Sequence, residues 1–278
     1  MRRIALVALA AWLAVGGLSR GYAAPAALTA QQIAEKNVAA RGGLEAWRKI
    51  QTMAWVGHME SQNAPMPNMP FMLQQKRPNK TRFEMNAMSQ RTLRVFDGAQ
   101  GWKTKANPNG NLDLQAYTIQ ELKFAREEQT IDGPLIDYAA KGNSVALEGV
   151  EDIEGHQAYR ISVRLASGEQ QKVWIDAHTF LDLRYDRISF SAAGKPGIVS
   201  VFYRNYQTVE GLQMPFTLEI GVGSGKPSDK MVIEKIALNP PLDDHVFAKP
   251  GGSGRVPVSR AQRPSAAAAP ATPESEQK

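Results

Sequence analysis

Cysteine is absent from all 278 residues. That excludes disulfides, thiolate metal sites and a lipid-modified cysteine, so the core must hold the fold unaided. Histidine is scarce: only His58, His156, His178 and His245 occur. No two of them stand four apart and no HExxH pair exists, so the usual zinc arrangements are missing. There is no G-x-S-x-G elbow, no P-loop and no G-x-G-x-x-G run. Asp176-Ala177-His178 reads as a hairpin turn and Asp243-Asp244-His245 as a solvated loop. Nothing in this inventory argues for an enzyme, and the expectation is a non-enzymatic protein without a cofactor.

Charge of one sign is not in large excess. The formal charge is +6, and Arg2, Arg3 and Arg20 lie in the leader described next, which leaves +3. That balance predicts no nucleic-acid partner. Long apolar runs are limited to residues 4–18, which carry no charge behind Arg2 and Arg3. Fifteen residues are fewer than the ~20 a membrane span requires. They suit the h-region of a secretory signal, with Gly21 and Ala23 in small-x-small spacing for cleavage after Ala23. The prediction is a signal peptide over 1–23 and a free, unanchored periplasmic protein behind it.

The mature chain opens with a predicted helix, where Thr29 and Gln32 form a capping box and Gly42-Gly43 ends the run. From Thr52 the period changes to two. Met53, Trp55, Gly57 and Met59 alternate with Ala54, Val56, His58 and Glu60, and Tyr159, Ile161 and Val163 alternate with Arg160 and Ser162. Helical spacing over 118–130, with a further helical turn over 134–141, interrupts the strands. Roughly eleven strands in one series predict a mainly β fold, a single curved antiparallel sheet with helices over one face. A helix-covered curved sheet either has a filled core or encloses an apolar pocket. The residues expected to line such a pocket are Met53, Trp55, Phe71, Phe83, Met85, Trp102, Tyr159, Ile161 and Val163. From 250 to 278 the chain is Gly, Pro, Ala and Ser with scattered charge, the composition of a disordered tail.

Methionine is crowded: seven of ten lie between Met53 and Met88. Met66, Met69 and Met72 stand three apart among prolines. Soft thioethers at that spacing, near His58, could hold Cu(I), while flexible methionine equally suits an adaptable apolar lining.

The order of motifs resembles a known family. Lys76-Arg77-Pro78-Asn79, Arg82-Phe83, Val95-Phe96-Asp97-Gly98, Trp102 and Asn107-Pro108 resemble the strand pattern of LolA-type periplasmic lipoprotein carriers. Val173-Trp174-Ile175-Asp176 with Thr179 and Leu181, then Val209-Glu210-Gly211-Leu212 with Met214-Pro215, are similar to the superfamily's later strands. Leu242-Asp243-Asp244 with Val246-Phe247 resembles its closing segment. The resemblance implies a half-barrel of about eleven strands over residues 24–249, with a helical lid over an apolar cavity. It implies a monomeric carrier of lipid or lipoprotein acyl chains between an inner-membrane exporter and an outer-membrane acceptor. Arg77 stands where such carriers lock the lid. The alternative on the same fold is a non-carrier envelope sensor or assembly module.

Overall fold

The computed structural model describes residues 28–61, 66–88, 90–127, 131–190, 196–223 and 226–251. The predicted signal segment 1–23 and the tail beyond residue 251 lie outside the described residues, as do residues 64 and 65 of the Met-Pro segment.

Helix α1 is Ala30–Ala40. Thr29 Oγ1 accepts from the Gln32 backbone at 3.2 Å, and the Gln32 side chain accepts from the Thr29 backbone at 2.9 Å. The two bonds satisfy two of the helix's otherwise orphaned donors. At the far end Gly42 adopts φ 112, and a Cβ there would lie 2.6 Å from the Gly211 carbonyl oxygen. Only glycine lets the chain turn so tightly against its neighbour. Helix α2, Leu44–Arg48, follows and buries Trp47.

Among the described residues, thirteen strands then form one antiparallel sheet. They are β1 (Thr52–Ser61), β2 (Met69–Lys76), β3 (Lys80–Ala87), β4 (Gln90–Phe96), β5 (Gly101–Ala106) and β6 (Leu112–Ala116). After helix α3 (Ile119–Glu127) come β7 (Ser144–Ile153), β8 (His156–Arg164), β9 (Gln170–Asp176) and β10 (Asp182–Phe190). The last are β11 (Pro196–Val209), β12 (Leu212–Val222) and β13 (Asp229–Leu238). The order across the sheet is β6-β5-β4-β3-β2-β1-β13-β12-β11-β10-β9-β8-β7. Two meanders are thus joined where β1 pairs with β13.

The mainly β expectation holds, with thirteen strands in place of about eleven. Residues 69–72, the end of the methionine- and proline-rich segment, are the start of β2, where Phe71 and Met72 pair with β1 on one side and β3 on the other. Residues 134–141 form successive hydrogen-bonded turns, including a single helical-type bond from the Lys141 N–H to the Asp137 carbonyl at 3.2 Å, without a continuous helix. Among the described residues no helix is long and apolar enough to cross a membrane.

The sheet's two faces differ. On the inner face, Met53 and Trp55 of β1 pack with Phe71, Leu218, Met231 and Ile236 around Trp47 and Ile136. Farther along the same face, Ile33 and Ala34 of α1 press on Ile161, Val163, Val173 and Ile175. On the outer face a short 3-10 turn, Asp244–Phe247, covers Leu93, Val95 and Trp102 with Phe247.

Candidate functional site

The helices do not fill the inner face completely. A cavity of about 230 Å³ remains between β1, β2 and β9–β12 on one side and residues 131–135 on the other. Its apolar wall includes Trp55, Leu73, Val173, Val201, Met214 and Leu218, with Ile131, Pro134 and Leu135 forming the roof. Arg41, Asp182, Arg187 and three tyrosines, 185, 203 and 206, add polar edges. The cavity is thus an apolar space with a few placed polar groups, the usual make-up of a small-molecule site.

The roof is held by charge. Arg77, in the turn between β2 and β3, donates through Nε to the Ile50 carbonyl at 2.7 Å and through Nη2 to the Trp47 carbonyl at 3.2 Å. The same Nη2 lies 2.6 Å from Asp132 Oδ2. Lys141 Nζ approaches the other oxygen of Asp132 at 2.7 Å and the Gly133 carbonyl at 2.8 Å. Asp132 is only 3% exposed, so its charge is satisfied by two cations and not by water. Burial lowers the Lys141 pKa; Asp132 opposes that, while Arg77 and Arg41 push the same way as burial. Arg41 reaches the roof too, donating to the Asp132 carbonyl at 3.3 Å.

A second buried pair anchors α1. Asp182 lies 3.3 Å from Arg41 Nη1 and accepts from Asn37 Nδ2 at 3.0 Å. Burial raises the Asp182 pKa, against the pull of Arg41 and Asn37. Burial likewise raises the pKa of Tyr206, whose hydroxyl donates to the Asp182 carbonyl at 3.0 Å.

Helix α3 closes the arrangement as a strap. None of its residues is buried. Glu121 meets Lys103 of β5 at 2.7 Å and Arg94 of β4 at 3.4 Å. Lys123 pairs with Glu169, in the turn between β8 and β9, at 2.5 Å. The strap is therefore tied by ion pairs to β4 and β5 at one point and to the β8–β9 turn at another. Burial works to raise the Glu121 pKa, but Lys103, the Thr118 backbone and Arg94 outweigh it and leave it lowered.

The predicted lining residues divide into three groups. Trp55 lines the cavity. Met53, Phe71, Phe83 and Met85 lie on the same face in the apolar cluster beside it, with the Phe71 and Phe83 rings stacked at 6.0 Å. Ile161 and Val163 are fully buried beneath α1 and Leu135, so that stretch of the face is filled, and Tyr159 packs there against Phe180. Trp102 belongs to the opposite face: it pairs with Val95, which pairs with Arg82, and Phe247 covers it. The three methionines considered for Cu(I) do not converge. Strand alternation puts Met69 on the inner face and Met72 on the outer, and Met66 Sδ accepts from the Met88 backbone. His58 is turned to the outer face, against Glu234 at 2.9 Å. Asp132, Lys141, Arg41, Asn37 and Asp182 were not identified from sequence, where a polar residue that the fold will bury looks like any solvated one, whether in a turn, on a helix or at a strand end.

No family model matches the chain, and no curated protein matches it. Similarity lies in solved structures. A LolA superfamily protein from Nitrosomonas europaea is similar at TM-score 0.51 and 14% identity, over 80% of this chain and 99% of that one. A DUF1329 family protein from Desulfovibrio piger gives TM-score 0.49 at 12% identity, over 79% of this chain and 97% of that one. The first likeness establishes a LolA-like fold.

Proposed function

We propose that this protein is a periplasmic lipid-binding carrier that holds an acyl chain beneath residues 131–135 and ferries it between the inner and outer membranes. The observation that carries the reading is the cavity of about 230 Å³ on the helix-covered face, walled by Trp55, Leu73, Val201 and Leu218. The LolA-like fold supports it. Burial of acyl surface supplies affinity at ~25 cal/mol per Å², from which the costs of association are subtracted. Ligand pockets usually run to about 300–1,000 Å³, so a long chain enters only as the roof lifts. The roof is packed through Ile131 and Leu135 and latched by Arg77, Asp132 and Lys141, and parting that polar latch is the step that lets it lift. The function proposed is binding and release, without covalent chemistry.

The test is extraction of lipid from protein purified without detergent, read by mass spectrometry. Stoichiometric recovery of an acyl lipid supports the carrier; repeated recovery of empty protein that also fails to take up a fluorescent fatty acid sinks it. A second reading, an envelope sensor or assembly module acting through its surface, draws on the packing of α1. Ile33, Ala34, Ile161 and Val163 fill the inner face between α1 and β8.

A further inference from the structure

A second, larger hollow of about 440 Å³ lies on the other side of the roof. Its charged wall residues are Arg77, Arg126 and Lys141 on the positive side and Glu127 and Asp132 on the negative. Asp132 also lines the apolar cavity, so the two spaces share a residue of the roof.

The charges of this hollow are not balanced. Arg77 and Lys141 both approach Asp132, at 2.6 Å and 2.7 Å, while the next carboxylate, Asp137, feels both but is bonded to Arg48. Arg126 is exposed on α3 and its Nη2 donates to a neutral partner, the Ala99 carbonyl, at 3.2 Å. Lys141 is held below its ordinary pKa, first by burial and further by Arg77 and Arg41. An added anion would relieve that repulsion and take charge-assisted hydrogen bonds from guanidinium and ammonium donors.

We propose that this hollow is an anionic headgroup site, receiving the phosphate or carboxylate of an amphiphile whose chain occupies the adjoining apolar cavity. The inference rests on the acyl-binding reading and specifies the ligand: a negatively charged amphiphile in preference to a neutral one. It also couples loading to opening, since a bound oxyanion competes with Asp132 for Arg77 and Lys141.

The experiment uses dodecyl phosphate, dodecanoate, dodecanol and inorganic phosphate, titrated against the full chain by calorimetry. Wild type should bind both charged amphiphiles about tenfold or more tighter than dodecanol. Arg126→Gln/Lys141→Gln should abolish that preference, read as the ratio of dodecyl phosphate to dodecanol affinity within the same variant. Arg126→Gln alone, on an exposed helix face, keeps the test valid if the double variant folds poorly, and should reduce the preference by about threefold. Equal binding of charged and neutral amphiphiles overturns the headgroup site and leaves the acyl cavity standing. Binding of inorganic phosphate as tightly as dodecyl phosphate makes this a free-anion site and also overturns the proposal. Failure of all the amphiphiles to bind defeats both readings together.

Discussion

Arg77 and Asp132, fifty-five residues apart, meet at 2.6 Å and so tie the β2–β3 turn to the roof of the cavity. The carboxylate is nearly inaccessible, at 4% side-chain exposure, whereas the guanidinium retains 25%. The contact is thus a latch with one end open to water. Its other hydrogen bonds, to the Ile50 and Trp47 carbonyls, fix the guanidinium to the segment around α2. Moving the roof requires separating Asp132 from this fixed fork.

Arg77→Leu should therefore speed exchange of a fluorescent fatty acid by about tenfold. Stability should fall by about 2–4 kcal/mol, because two carbonyls and a buried carboxylate each lose a donor. Arg77→Lys should restore the charge but not the fork, giving an intermediate exchange rate. Stopped-flow exchange alongside urea unfolding separates the two effects; wild-type exchange in a destabilised Arg77→Leu protein would reduce the residue to a structural role.

Filling the cavity should block the ligand without dismantling the fold. Val201 lines the space from β11. Val201→Trp should cost about 1–3 kcal/mol through local overpacking and weaken fatty-acid binding by about tenfold or more. Circular dichroism and a binding titration on the same sample check both. Undiminished binding would place the ligand elsewhere.

The strap should respond to salt. Helix α3 has no buried residue and is tied through the Glu121–Lys103 and Lys123–Glu169 pairs. Raising salt from about 0.1 M to about 1 M shortens the screening length from ~10 Å to ~3 Å. Amide exchange in 119–127 should quicken over that range, while β8 and β9 stay protected. Glu169→Lys should reproduce the high-salt exchange at low salt.

Acid should loosen the outer cover. Lys76 and Lys80 hydrogen-bond the Asp244 carboxyl and hold its pKa at about 2, below the ordinary 3.8. A carboxylate depressed in the folded state contributes stability above its unfolded pKa and loses it as pH falls through the folded value. The advantage of wild type over Asp244→Asn should be complete above 3.8 and fade toward about 2. Thermal unfolding of both proteins across that range reads it directly; a difference that persists at the acid end would assign the contribution to another group.

Legibility followed the range of the interaction. The capping box at Thr29 and Gln32 involves residues three apart and is visible in the sequence. So is the alternation of Met53, Trp55 and Met59, which fixes their shared face once β1 is extended. Trp102 shows where this stops. The face it takes depends on the β4–β5 turn, where Asp97 Oδ1 caps Ala99 and Gln100 at 2.7 Å each and sets Val95 opposite Trp102. One residue more or less in that turn would reverse the side. The polar latch was less visible still, because Asp132 and Lys141 resemble ordinary turn residues until the fold buries one against the other.

By itself the sequence determined the strand-rich, cysteine-free core, the capped first helix and the place of Arg77 in the chain, all of which depend on local spacing or composition. Tertiary structure alone decided which apolar positions are filled and which face empty space. Ile161 and Val163 lie beneath α1, while Trp55, with the same strand periodicity, borders the cavity. Hydrophobicity drives burial without direction, so the pattern marks a face as apolar but not what will cover it. That assignment comes from long-range contacts, the polar latch at Asp132 together with the packing of Ile131 and Leu135, which set where the roof rests and what room is left below it.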